Sequence, residues 1–177
     1  MTRNVLEGIC AIVDSLSAAA RFAAAGLAFA LIGCTLFEVV MRYFLSSPSI
    51  WAFDVAYMLN GSVFLLAVAA ALQFGTHVRV DFLSSRFPVR IRNVIDAVFF
   101  LLPASISIGL LMEAAFNRTV RAIQTGETEA VSPWAPLMWP FYLVITVGLS
   151  LLFLQCIAQG LRSLIAALNQ DDGSVNG

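Results

Sequence analysis

The chain has 177 residues, of which 60% are hydrophobic and 12% charged; its mean hydropathy is +0.88 and its formal charge is -1. A soluble domain is about one half apolar and about one quarter charged, so this composition excludes one and defines an integral membrane protein. The small net charge says little about partners, because the placement of positive charge matters in such a protein and its sum does not.

Residues 1–20 place Val5, Ile9, Ile12, Val13 and Leu16 near helical spacing, with Arg3, Glu7 and Asp14 elsewhere on the wheel. This pattern predicts a short amphipathic helix lying on the membrane surface. Glu7 and Asp14 do not suit a cleavable signal, so the first long apolar run is expected to be an uncleaved span. That run covers residues 22–41, with a single charge, Glu38, near its far end. Twenty residues at 1.5 Å each match a hydrocarbon core of about 30 Å.

The second span, 55–74, carries no charge. Between the two, Arg42 to Asp54 is short and contains Ser46, Ser47 and Pro48, so these helices are expected to be antiparallel neighbours. Residues 75–93 form a basic loop that holds the chain's single histidine, His77. Within it Val80, Leu83 and Phe87 fall at i, i+3 and i+7, which predicts a short interfacial helix, and Pro88 suits the first turn of the helix that follows.

The third span, 94–113, contains Pro103, predicted to kink it without breaking it. Helical periodicity continues through Ala114, Phe116, Val120 and Ile123 and stops by Gly126, within an outer segment 114–136 rich in turn formers. The fourth span, 137–158, is charge-free, and residues 159–177 form a tail whose last part, from Asn169, is polar and expected to be disordered. The predicted fold class is therefore all-α: four transmembrane helices plus short amphipathic interfacial helices.

Arginine carries the whole orientation signal, since lysine is absent. Arg3, Arg21, Arg79, Arg86, Arg90, Arg92 and Arg162 fall on one side of a four-span chain and Arg42, Arg118 and Arg121 on the other, seven against three. The richer side, with both termini, is expected in the cytoplasm. Trp51, Trp134 and Trp139 all belong to the opposite side, where such rings anchor at the headgroups.

Charges at the ends of spans are the natural candidates for function. Glu38 and Arg42 are four residues apart on one helix face, and Asp54 opens the next helix. The three could cluster to pair helices or dock a partner, or each could reach water independently. Asp96, four residues after Arg92, has the same two readings, while Asn60, Gln73 and Gln155 could bond between helices. No dense polar lining for a transport pathway is read from the chain.

His77 alone cannot supply the two axial ligands of a haem between helices, and zinc would need three or four ligands of suitable type. No cofactor, metal site or nucleic-acid partner is expected, and His77 reads as a hydrogen-bonding loop anchor. Cys10, Cys34 and Cys156 are widely spaced and form no C-x-x-C pair, so no disulfide is expected.

Over roughly Phe37 to Leu161 the sequence resembles the small membrane subunit of tripartite ATP-independent periplasmic (TRAP) transporters, the DctQ-like family. The resemblance rests on several features in order. They are Arg42-Tyr43 ending the first span; Ser49, Trp51 and Asp54 opening the second; Gly75, His77, Val78, Val80 and Asp81; Pro88 with the arginines after it; and Ser132, Pro136, Trp139 and Pro140 opening the fourth. Asp54 stands where the family often has glutamate, keeping the charge.

The resemblance implies a subunit of the bacterial inner membrane that is not an enzyme. It would brace a large multi-helix subunit during sodium-driven uptake of an organic acid delivered by a periplasmic binding protein. Arg42, Trp51, Asp54 and the stretch from Glu127 through Trp134 would face the periplasm, with Trp139 anchored beside them. His77, Arg79 and Asp81 would fix the cytoplasmic side. Two competing functions are a stand-alone proton-coupled antiporter using Glu38 and a four-helix thiol oxidase, the second needing paired outer cysteines that the sequence does not provide.

Overall fold

A computed structural model describes residues 2–73 and 89–172. The described chain is predominantly helical, with no strand. The elements are α1 (Thr2–Tyr43), α2 (Ala52–Gln73), α3 (Val89–Phe99), a π turn (Phe100–Ala104), α4 (Ser105–Thr125) and α5 (Trp139–Asp172). Four stretches within them are long and apolar enough to cross a membrane: Ala11–Tyr43, Ala52–Leu72, Ile91–Thr125 and Trp139–Ala167. The protein is thus a multi-pass helical membrane protein.

α1 runs unbroken for 42 residues, through the boundary that the charge pattern suggested near Arg21. The reason is local: Ala18 to Ala20 and Ala23 to Ala25 flank Arg21, and alanine is the strongest helix former, so no break is encoded there. α5 likewise continues over Asn169 to Asp172, where the polar composition suggested disorder. α2 is short, 22 residues.

α5 is the centre of the bundle, packing against α2, α3, α4 and the π turn, while α1 packs mainly along α2. The inner helices are 28% buried over their apolar windows and the outer two spans 6%, so α1 and the third span present most of their surface outward. Small side chains allow the close approach expected between helices in lipid. Ala20 and Ala24 of α1 meet Leu66 of α2, with Leu27, Val144 and Leu151 around them, and Val13 meets Ala158.

Pro103 lacks the N–H that an α-helix would use, and the third span absorbs it as a π turn. Ala97 and Ser105 are eight residues apart, which in an unbroken α-helix would set them about 80° out of phase. The wider turn takes up that difference, and both residues are buried. The Ser105 hydroxyl donates to Leu101 O at 2.5 Å, one turn back, at the end of the π turn. Opposite the turn stands Gly160 of α5: a Cβ there would lie 2.7 Å from Leu101 Cγ, so glycine is what lets the turn seat. α4 ends at Gly126, whose φ of 62° is the left-handed cap favoured by glycine, where the sequence pattern also ended it.

Candidate functional site

The α1–α2 loop, the α4–α5 loop and the helix ends that flank them gather at one end of the bundle, and so do all three tryptophans. At the end of α1, Glu38 Oε1 accepts from Arg42 Nη2 at 3.0 Å and Nε at 3.3 Å. Its other oxygen accepts from the backbone N–H of Ser49 at 3.2 Å and from the Ser49 hydroxyl. A carboxylate has about four acceptor positions, and all four are filled. Glu38 therefore ties the helix to its own following loop. Trp51 closes that loop by stacking on Phe37, ring centroids 5.5 Å apart.

Asp54 does not join this pair. Its side chain, 9% exposed in the first turn of α2, accepts a short hydrogen bond from the Ser132 hydroxyl of the α4–α5 loop. Ser132 in turn accepts the backbone N–H of Trp134 at 3.1 Å. Of the cluster considered from sequence, Glu38 and Arg42 come together and Asp54 turns to the other loop.

That second loop is stapled at several points. Glu127 O accepts from Met138 N at 3.0 Å, Pro136 O accepts from Glu129 N at 3.0 Å, and Thr128 pairs with Leu137. The Glu127 side chain receives Arg118 Nη2 at 2.5 Å, and the same guanidinium lies 5.3 Å from the centroid of the Tyr142 ring. Val131, 90% exposed, stands at the tip. Trp134 and Trp139 are partly exposed, and Trp139 is the first residue of α5.

A second polar group lies near the other end of α1 and α5, and the sequence reading did not pair its members. Asp14 Oδ2 accepts from Arg162 Nη2 at 2.5 Å, and Asp14 Oδ1 accepts from Gln155 Nε2 at 3.2 Å. Gln155 Oε1 accepts from the Ser17 hydroxyl at 3.2 Å; Gln155 and Ser17 are both fully buried. The available signal was spacing. Asp14 and Ser17 stand at i, i+3 on one apolar helix, and Gln155 and Arg162 stand at i, i+7 on another, so each pair shares a face.

His77, Arg79 and Asp81 lie outside the described residues, as does the interfacial helix predicted in their loop. The same holds for the Gln73 side chain. Asn60 is exposed on α2 and bonds to no other described residue. No group of three metal-ligating side chains occurs among the described residues. The free thiols of Cys34 and Cys156 stand on different helices, α1 and α5.

These features define a membrane protein whose polar side chains mostly bind its helices and loops to one another. The chain belongs to the DctQ component family of the tripartite ATP-independent periplasmic transporters, whose model matches residues 31–166. The match runs from the middle of α1 almost to the end of α5 and includes every residue of the tryptophan-bearing end. No individually curated protein matches the sequence.

Proposed function

We propose that this chain is the small membrane subunit that braces the large transport subunit of a tripartite transporter during sodium-driven uptake of an organic acid. The observation that carries the reading is the coincidence of a family match over residues 31–166 with a bundle whose inter-helix polar groups are mostly bonded internally. A brace needs fixed helices and an outward surface, and each span keeps exposed apolar side chains, Phe29, Phe64, Leu110 and Val147 among them.

In this reading the arginine-rich side, with both termini, faces the cytoplasm of a bacterial inner-membrane protein. Arg42, Trp51, Asp54 and the loop through Trp134 face the periplasm, where the substrate-binding protein docks, with Trp139 anchoring the same side. Two features of the loops support this: they are tied by Glu38–Ser49 and Asp54–Ser132, and they present Phe44, Ile50 and Val131 outward. His77, Arg79 and Asp81 hold the cytoplasmic side. An antiporter working through Glu38 would need a carboxylate free to exchange a proton, and the acceptor positions of Glu38 are already taken.

Deleting the chain from cells that retain the large subunit and the binding protein tests the proposal. Sodium-driven uptake should be lost and should return with the chain supplied in trans. Unchanged uptake without it would reject the bracing role. Solute movement by the isolated chain in vesicles would reject it as well.

A further inference from the structure

α2 has the least freedom of the four spans. Its 22 residues extend about 33 Å, close to the full thickness of the hydrocarbon core, so nearly all of it is needed to cross. Asn60 lies eight residues after Ala52, about 12 Å into the span, and therefore near the middle of the bilayer whatever the tilt. Its side chain is exposed and has no hydrogen-bond partner in the described chain.

Lipid is a poor cover for such a group. An amide left unbonded in hydrocarbon is unfavourable, and asparagine is too short to reach the headgroups from this depth. Several polar side chains between the spans behave differently. Gln155 is bonded at both ends, Thr119 meets Thr146 at 2.8 Å, and Ser62 bonds the Met58 carbonyl one turn back. Asn60 is also not alone on its face. Phe53, Tyr57, Asn60, Phe64 and Ala67 follow at alternating steps of four and three and are all exposed, which makes a single seam along α2. This spacing is that of a helix–helix contact.

We infer that the Phe53–Ala67 seam of α2 is where the chain docks a transmembrane helix of the large membrane subunit. That helix presents a hydrogen-bonding side chain, an amide, hydroxyl or carboxyl, opposite Asn60. The inference rests on the proposed function for the identity of the partner, and on the seam alone for its place. Asn60 is then a specificity element, since a helix with only apolar side chains leaves the amide unbonded.

The test uses the complex purified in mild detergent from cells expressing all subunits. A photo-crosslinking residue in place of Phe64 should capture the large subunit, and one in place of Phe29 or Leu110, exposed on the outer spans, should capture it at least about tenfold less. Asn60→Leu should lower the large subunit retained by about three- to twentyfold, the range of interhelical hydrogen bonds in membranes. The same change should leave the thermal unfolding of the isolated chain unchanged or raise it, because no internal bond is lost. Asn60→Gln, which keeps the amide, should restore part of the retention.

Capture of the large subunit from Phe29 or Leu110 but not from Phe64 would overturn the seam while leaving the bracing function intact. Capture of a second copy of this chain, or of lipid only, would overturn it as well. So would full retention by Asn60→Leu. Absence of the large subunit from the wild-type preparation would instead reject the proposed function.

Discussion

The Ser132 hydroxyl donates to the Asp54 carboxylate while accepting the backbone N–H of Trp134, so one serine fastens the start of α2 to the α4–α5 loop. The two residues are 78 positions apart in the chain. Because Asp54 is only 9% exposed, water cannot readily replace the lost donor. Ser132→Ala should therefore destabilise the protein by about 1–3 kcal/mol, the cost of leaving a nearly buried acceptor short of a bond. Hydrogen exchange should accelerate across residues 127–137 first. Asp54→Asn keeps an acceptor oxygen and should cost less. Equal exchange in wild type and Ser132→Ala would mean that the loop is held by its backbone bonds alone.

Asp14 and Arg162 supply a second prediction. Each is about one third exposed, which limits the strength of the pair, but Gln155 behind them is fully buried and shares the Asp14 carboxylate. Asp14→Ala should cost about 1 kcal/mol, within the range measured for polar contacts between membrane helices. A double-mutant cycle with Arg162→Ala should return a coupling clearly above zero, and the exchange Asp14→Arg with Arg162→Asp should recover part of the loss. Denaturant titration in detergent micelles reads both. Additive single and double mutants would show that the contact carries no stability.

What the sequence made legible follows from which forces act locally. The number of spans was readable because the bilayer demands about 20 apolar residues in a row, and the end of α4 because Gly126 supplies the required backbone angle. The join of α1 across Arg21 was not readable from charge, since alanine propensity on both sides outweighs one cation. The partner of Asp14 was not readable either: it lies 148 positions away, and only helix packing brings the two together. That Glu38 and Arg42 share a helix face was readable because four residues along a helix fix their distance, while their ion pair was one of two open readings. Asp54 is adjacent to the same loop and yet chose Ser132, a choice made by the fold of α4 and α5.

Gly160 offers a test of the π turn. A side chain at this position must displace Leu101, whose Cγ would stand 2.7 Å from the new Cβ, and Phe100 Cβ lies 3.3 Å away. Gly160→Val should destabilise the protein by about 1–3 kcal/mol, as overpacking does elsewhere. Combining it with Leu101→Ala should recover part of that loss by returning the space. If the double variant is no better than the single, the turn is held by Pro103 and not by its seat on α5.

Glu38 separates a brace from a transporter in its own right. Within the brace reading its carboxylate is a local staple between the end of α1 and Ser49, and its pair with the exposed Arg42 is a weak, solvent-screened contact. Glu38→Gln keeps an oxygen for Ser49 and gives up the ionic part of the contact with Arg42. The assembled transporter carrying it should retain at least about half of its uptake rate, with a small drop in the stability of the isolated chain. A carboxylate that exchanged protons in the transport cycle would behave otherwise: its amide cannot titrate, and uptake would fall by orders of magnitude while the complex stayed assembled. Measuring uptake and subunit retention on the same preparation distinguishes the two, because a brace loses transport only when it loses its partner.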